Sequence, residues 1–219
     1  MKNLLFMAIL GLTLLLTGCA RYVVTNTTNF YKPDYHSKGK VSVVAADSKV
    51  DGSLEFAHYK SRFEAKLANI GYQIVAQPND ADYLALVSYG IDSGKTSQVS
   101  TPIYGQTGGG TTYKSGTVYS GGQTASYSGS TYTMPSYGIV GMTSGSHTTY
   151  QRAIALDIVE AKSFLQGKPV VLLESRAKSR GSCNQIVEVF DEILEAMFNE
   201  FPGENGRAKK IRVTSNANC

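Results

Sequence analysis

The sequence predicts an α+β domain: a mixed or antiparallel sheet of about five strands, two amphipathic helices packed on one side of it, and a long insertion between two strands. Three observations carry that expectation. Two segments, residues 56–70 and 186–201, repeat apolar side chains with a helical period. Several short runs rich in Val, Ile and Leu are bounded by turn residues, the pattern of strands. Between two of those runs, 41 of the 57 residues at 93–149 are Gly, Ser, Thr or Tyr, which leaves too few aliphatic side chains for a second core.

The N-terminus comes first in the chain and carries its clearest motif. Lys2 precedes an almost unbroken apolar run from Leu4 to Leu16, closed by Leu16-Thr17-Gly18-Cys19. This is the layout of an export signal. The run is short of the roughly 20 residues that a permanent membrane helix needs, so residues 1–18 are read as a signal peptide cut between Gly18 and Cys19. The last four residues resemble the lipobox of bacterial prolipoproteins, which implies a diacylglyceryl group on the Cys19 thiol. Two or three acyl chains of the palmitate type hold a protein stably on a membrane, since each buried CH2 contributes about 0.8 kcal/mol. Ala20 follows Cys19 where inner-membrane lipoproteins favour Asp, and the resemblance therefore implies an outer-membrane anchor with the chain facing the periplasm.

Residues 19–39 show no sustained period and read as a tether. The domain is expected over residues 40–203. Val41, Val43 and Val44 make a short β-rich run, and Ser53 is placed to cap a helix whose stripe is Phe56, Tyr59, Phe63, Leu67 and Ile70. Gly71 ends it. Tyr72 to Val75 reads as a strand, Pro78-Asn79-Asp80 as a turn, and Tyr83 to Ile91 as a buried strand whose partner is Gln151 to Glu160. Pro169 to Glu174 is another strand. The final helix carries Ile186, Phe190, Ile193, Leu194, Met197, Phe198 and Phe201 on one stripe, with Ser182 and Gln185 as a capping box and Pro202-Gly203 as its stop. Residues 204–219 read as a C-terminal tail.

Three cysteines are present. With Cys19 committed to lipid, Cys183 and Cys219 form an even pair in a compartment where disulfides persist, and they are expected to be joined.

The low-complexity insertion at 93–149 contains Lys95 and Lys114 but no acid. It admits three readings: a mobile loop, a Tyr-rich adhesive or self-associating hairpin, or a pair of membrane-crossing β-segments. In the first the tyrosines make only transient contacts; the second turns the segment toward a protein partner or another copy, and the third toward the bilayer.

Nothing in the sequence assembles a catalytic or metal centre. His36, His58 and His147 are scattered without ligand spacing, Gly108-Gly109-Gly110 lacks the Lys and helix of a phosphate loop, and Asp80 with Asp82 fits a turn that leads into a strand. No cofactor is implied. The charge of +4 falls to +3 when residues 1–18 and Lys2 leave, and no basic stripe of the nucleic-acid kind is present. The one local cluster, Arg207, Lys209, Lys210 and Arg212, could touch anionic head groups. The expectation is a non-enzymatic envelope protein, an accessory or scaffold that binds another envelope component, with an oligomeric pore subunit and a small-ligand carrier as alternatives.

The order of a helix, Gly71-Tyr72, Asp80-Ala81-Asp82 leading into a strand, Ala153-Ile154-Ala155-Leu156-Asp157, Gly167-Lys168 with a strand, and a helix ending at Phe201-Pro202 resembles the bacterial lipoprotein family called domain of unknown function 4136. The resemblance covers roughly residues 40–92 and 150–203. It implies an α+β envelope domain of no known activity, with no functional residues to carry over.

Overall fold

A computed structural model describes residues 21–36 and 38–219. Eight strands form one mixed sheet: β1 (Arg21–Tyr31), β2 (Gly39–Ala45), β3 (Tyr72–Ile74), β4 (Tyr83–Ile91), β5 (Lys95–Ser120), β6 (Gln123–Glu160), β7 (Val171–Gly181) and β8 (Lys209–Ser215). Their order is β3-β2-β4-β6-β7-β1-β8, with β5 paired to β6 alone. The described helices are α1 (Leu54–Asn69), α2 (Ala161–Leu165) and α3 (Phe190–Phe198).

This overturns the expected sheet of about five strands with two helices on one side. The molecule is mostly sheet, and three strands arise where the composition hid them. Residues 21–31, expected as part of a tether, are β1, which pairs antiparallel with both β7 and β8. Residues 209–215 of the expected tail are β8, and the insertion is β5 together with a long extension of the expected 151–160 strand, β6. α2 is a third helix. Its Ala161 packs with Leu84 and Val159, while their strand neighbours Ala85 and Ile158 belong to the main core. Successive strand residues face opposite ways, so α2 lies on the other sheet face from that core.

The main core lies where α1 and α3 meet the sheet. α1 buries Phe56, Tyr59, Phe63 and Leu67, and α3 buries Phe190, Ile193, Leu194, Ala196 and Met197. They join Val41 and Val43 of β2, Val87 of β4, Ile154, Leu156 and Ile158 of β6, and Leu173 of β7 in one cluster. The Tyr59 and Phe190 rings stack with centroids 3.8 Å apart. Truncating a ring at such a position typically costs about 3–5 kcal/mol.

Local signals fix the ends of α1. The Ser53 hydroxyl accepts the Phe56 N–H at 3.0 Å, and Gly71 adopts φ 111° just past the last turn. The second expected helix differs. Ile186–Val189 is a 3-10 turn, and α3 begins only at Phe190 without a side-chain cap. Ser182 does not serve a capping box, because its hydroxyl donates to the Cys219 carbonyl at 2.6 Å. The helix stops at Phe198, and Phe201 stacks back on that ring at 5.0 Å.

The β4–β6 ladder runs from Tyr83↔Glu160 to Ile91↔Arg152. Cys183 and Cys219 form a disulfide with Cα atoms 4.9 Å apart. It fastens the segment after β8, a strand that pairs with β1 alone.

The chain divides into two compact units, one holding residues up to 95 together with 149–219, the other 96–148. At the end of the first, the Asp92 N–H donates to the Gln151 carbonyl at 3.0 Å, and the Asp92 carboxylate accepts the Gln151 N–H at 2.9 Å. Because that clasp closes the unit without residues 96–147, deleting them should leave its unfolding free energy within about 1 kcal/mol of the parent. Loss of cooperative urea unfolding in the deletion variant would contradict this.

The disulfide closes a loop with a sequence separation of 36. Reduction, or Cys183→Ser with Cys219→Ser, should lower stability by about 3–4 kcal/mol in urea titration and speed amide exchange first in β8. Unchanged exchange there would count against the fastening role.

Two buried phenols make stability depend on alkaline pH. Burial, reinforced by the charge of Glu55, pushes Tyr59 up to about 12. Burial and the Tyr35 hydroxyl, 2.9 Å away, raise Tyr72 as well. The folded state favours the neutral phenol more than the unfolded chain does, whose tyrosines ionise near pH 10. Their contribution is whole below pH 10 and is lost as pH climbs towards 12 and beyond. Urea midpoints should fall steeply above pH 10, and Tyr59→Phe with Tyr72→Phe should flatten the fall; parallel slopes would refute the assignment.

Candidate functional site

Two surfaces present chemistry that the core does not consume. The first is built on the alternation of β7. Leu173, Ser175, Ala177 and Ser179 are buried, so Glu174, Arg176, Lys178 and Arg180 point to the opposite face. Register sets Lys178 beside Asn26 and Arg176 beside Thr28 of β1, and Asn26 in turn beside Lys210 of β8. Arg212 follows on β8, opposite Val24. The outer face across β7, β1 and β8 is therefore a basic field. A groove of about 710 Å³ runs over it, lined by Asn26, Thr28, Phe30, Gln151, Arg176, Lys178 and Arg180 among others.

Acids temper one end of this field. Arg176 pairs with Asp157, and its second terminal nitrogen lies 3.7 Å from Glu174. Of the C-terminal cluster expected at lipid head groups, Arg207 is paired with Glu204 and Lys209 with Glu200. Among the described residues, Lys178, Arg180, Lys210 and Arg212 make no ion pair.

The second surface is the unit at 96–148, a two-stranded hairpin. Its reversal falls at Gly121-Gly122, where φ is 62° and 80°, the left-handed pair that a type I′ turn requires. At Gly109 a Cβ would meet the Met134 carbonyl oxygen at 2.3 Å, so only glycine allows that strand approach. Hydroxyls link the strands at Thr96–Thr148, 2.8 Å, and Thr107–Ser136, 3.2 Å. Among the described residues, thirteen of the twenty exposed large apolar side chains fall here, including Tyr104, Tyr113, Tyr119, Tyr132, Met134 and Tyr137. Pro102 and Pro135 each remove a ladder donor, which hinders continuous edge-to-edge pairing with a further strand. The side-chain faces are what the hairpin has to offer.

The other sequence-derived candidates are placed as follows. Gly18 and Cys19 lie outside the described residues. Asp82 accepts the Lys40 N–H at 2.8 Å, and Asp80 sits in the 3-10 turn Pro78–Asp80, so both fix the entry to β4. Among the described residues, no group of three or more His, Cys, Asp or Glu could hold a metal ion. No described helix is long and apolar enough to cross a membrane.

One feature left no trace in the sequence. Arg152 points into the protein from β6 and is 2 % exposed. Its terminal nitrogens donate to the Ser179 hydroxyl at 3.1 Å and the Cys183 carbonyl at 3.4 Å, while Nε has no partner among the described residues. Burial pulls its affinity for the proton below the usual guanidinium range, and the charge of Asp92 opposes the shift.

Comparison with known proteins adds little chemistry. No curated protein matches the chain. Among solved structures, the crystal structure of a PDZ domain protein from Parabacteroides distasonis aligns with 89 % of this chain at 14 % identity and a TM-score of 0.46; the chain spans 39 % of that protein's length. The family model for the domain of unknown function DUF4136 matches residues 24–203, and the chain belongs to that family.

Proposed function

We propose that this protein is a non-enzymatic component of the bacterial cell envelope, anchored through lipid on Cys19 to the periplasmic face of the outer membrane, which docks another envelope component on its hairpin. The observation that carries the docking role is the concentration of exposed Tyr, Val, Ile and Met side chains on residues 96–148, where Lys114 is the only charged side chain. A soluble surface of that kind is a recognition surface by default. Six tyrosines bring large rigid contact area at low entropy cost, and Ser, Thr and Gly give adaptable hydrogen bonding around them.

The start of β1 sharpens the anchor. Only Ala20 separates Cys19 from Arg21, the first residue of the strand. Two residues of chain span at most about 7 Å. A lipid on Cys19 therefore leaves no tether, and the end of the sheet that carries Arg21 rests at the head groups. That same end holds Ile91 and Arg152, beside which the chain leaves for the hairpin and returns from it.

The length of β5 and β6, 26 and 38 residues, supports a second reading in which hairpins from several copies assemble a pore. A crossing strand needs about 9–11 residues of apolar alternation facing lipid. Ser115, Gly121 and the two prolines fit that pattern poorly, and side-face docking is favoured.

The test is a photo-crosslinker placed at Tyr113, Tyr132 or Tyr137 in cells, with one at Glu64 on α1 as control. A discrete heterologous adduct at the hairpin positions, absent from the control, is the expected result. A ladder of homo-oligomers, with a ring of defined size after detergent extraction, would establish the pore instead. An unacylated Cys19 in the mass spectrum of the N-terminal peptide would sink the anchor.

A further inference from the structure

We propose that the outer face of β1, between β7 and β8, seats an acidic segment of a partner protein, held extended with its acids two residues apart. Register places four cations around one lane of the sheet. Asn26 lies opposite Lys178 of β7 and Lys210 of β8, and Val24, the next outward residue of β1, lies opposite Arg212. Arg180 follows Lys178 on the same face, where one terminal nitrogen reaches the Gln151 side-chain oxygen at 3.5 Å. With strands about 4.8 Å apart and outward residues about 6.7 Å apart along each strand, the four mark a rectangle of roughly 10 Å by 7 Å. The shorter side chains of Val24 and Asn26 make its floor.

All four cations are exposed, and none has a carboxylate partner among the described residues. The described helices leave them uncovered. α1 and α3 pack on the other sheet face, and α2 sits against Leu84 and Val159. The unpaired field is only two rungs long. Arg176, beside Thr28, is taken by Asp157 and lies 3.7 Å from Glu174, and the next outward residue of β1 is the half-exposed Phe30. The groove of about 710 Å³ reaches from Gln151 and Arg180 at one end to Phe30 at the other.

That order of surfaces chooses the occupant. A bilayer or a uniform polyanion carries negative charge past the second rung, where it would meet Asp157 and Glu174. An extended peptide repeats its side chains at the same spacing as the strand beneath it. Two acids separated by one residue would therefore stand over Val24 and Asn26 together, each between a cation of β7 and one of β8. Arg180 and Arg212 offer forked donors to a carboxylate, and Lys178 and Lys210 offer point charges. A neutral residue then faces Thr28, and an apolar one faces Phe30. Occupancy of this lane does not depend on what the hairpin binds.

The test is fluorescence anisotropy of a labelled Asp-Thr-Asp-Thr-Ser-Thr-Leu peptide, and of the same residues in reverse order, with the full chain in neutral detergent at low salt. The better of the two should bind at least about 5-fold more tightly than an isomer with its two Asp residues adjacent, and should weaken as salt rises. Lys178→Gln, Lys210→Gln and Arg212→Gln, all exposed and outside any ion pair, should each weaken binding about 3-fold or more with Tm unchanged. Lys49→Gln, on the loop before α1, should leave it unaltered. Equal binding of the spaced and adjacent isomers, or unaltered binding in K178Q and K210Q, would overturn the site. Displacement of the peptide by phosphatidylglycerol mixed into the micelles, at lower concentration than unlabelled peptide, would assign the face to lipid instead. Salt-sensitive self-association in sedimentation equilibrium, lost in K178Q and K210Q, would assign it to a second copy and overturn the partner segment.

Discussion

The insertion of β1 between β7 and β8 is the constraint on which half of this protein depends. A strand paired on both edges satisfies the backbone groups of three segments at once, and here those segments lie at the two ends of the sequence. Among the described residues β8 has no other strand partner. α3 packs across β1, β7 and β8 together, and the 200–206 loop is tied down by β1 through Asn29 to the Pro202 carbonyl at 2.6 Å and Tyr31 to the Gly203 carbonyl at 2.8 Å. Take β1 away and the basic outer face and the seat of α3 go with it.

The core centred on α1 was legible because each level of signal agreed. Ser53, the stripe from Phe56 to Leu67 and Gly71 point to one helix, and the apolar runs at 83–91 and 151–160 point to one ladder. β1 escaped because its inward positions include Thr25, Thr27 and Asn29, buried yet polar, so no apolar alternation marks it. The Oγ1 of Thr25 and the Oδ1 of Asn29 have no hydrogen-bond partner among the described residues, so tertiary pairing rather than side-chain preference holds this strand in place. β8 was hidden by its basic residues on the outward positions. The hairpin was hidden by composition: Thr and Tyr suit strands, yet Gly and Ser at such density read equally as a loop.

The candidate site was less legible than the fold. Sequence reading saw Arg207, Lys209, Lys210 and Arg212 as one cluster, but the structure spends two of them in surface pairs that contribute little. The run Arg176, Lys178, Arg180 alternates with Ser175, Ala177 and Ser179, and a period-two reading of that segment would have put the three cations on one face. Arg152 could not have been found that way. It sits in an otherwise apolar alternation with Ile154, Leu156 and Ile158, and only the three-dimensional register sets Ser179 opposite it.

The same strand order governs the sequence of events in folding. Synthesis proceeds from the N-terminus, and among the described residues β1 has no strand partner until residues 171–215 exist, so its ladders are among the last to close. Through that interval the edge of β7 that faces β1 stays open. The arrival of β8 then closes the other edge, and the sheet completes itself by drawing its first described strand between two of its last.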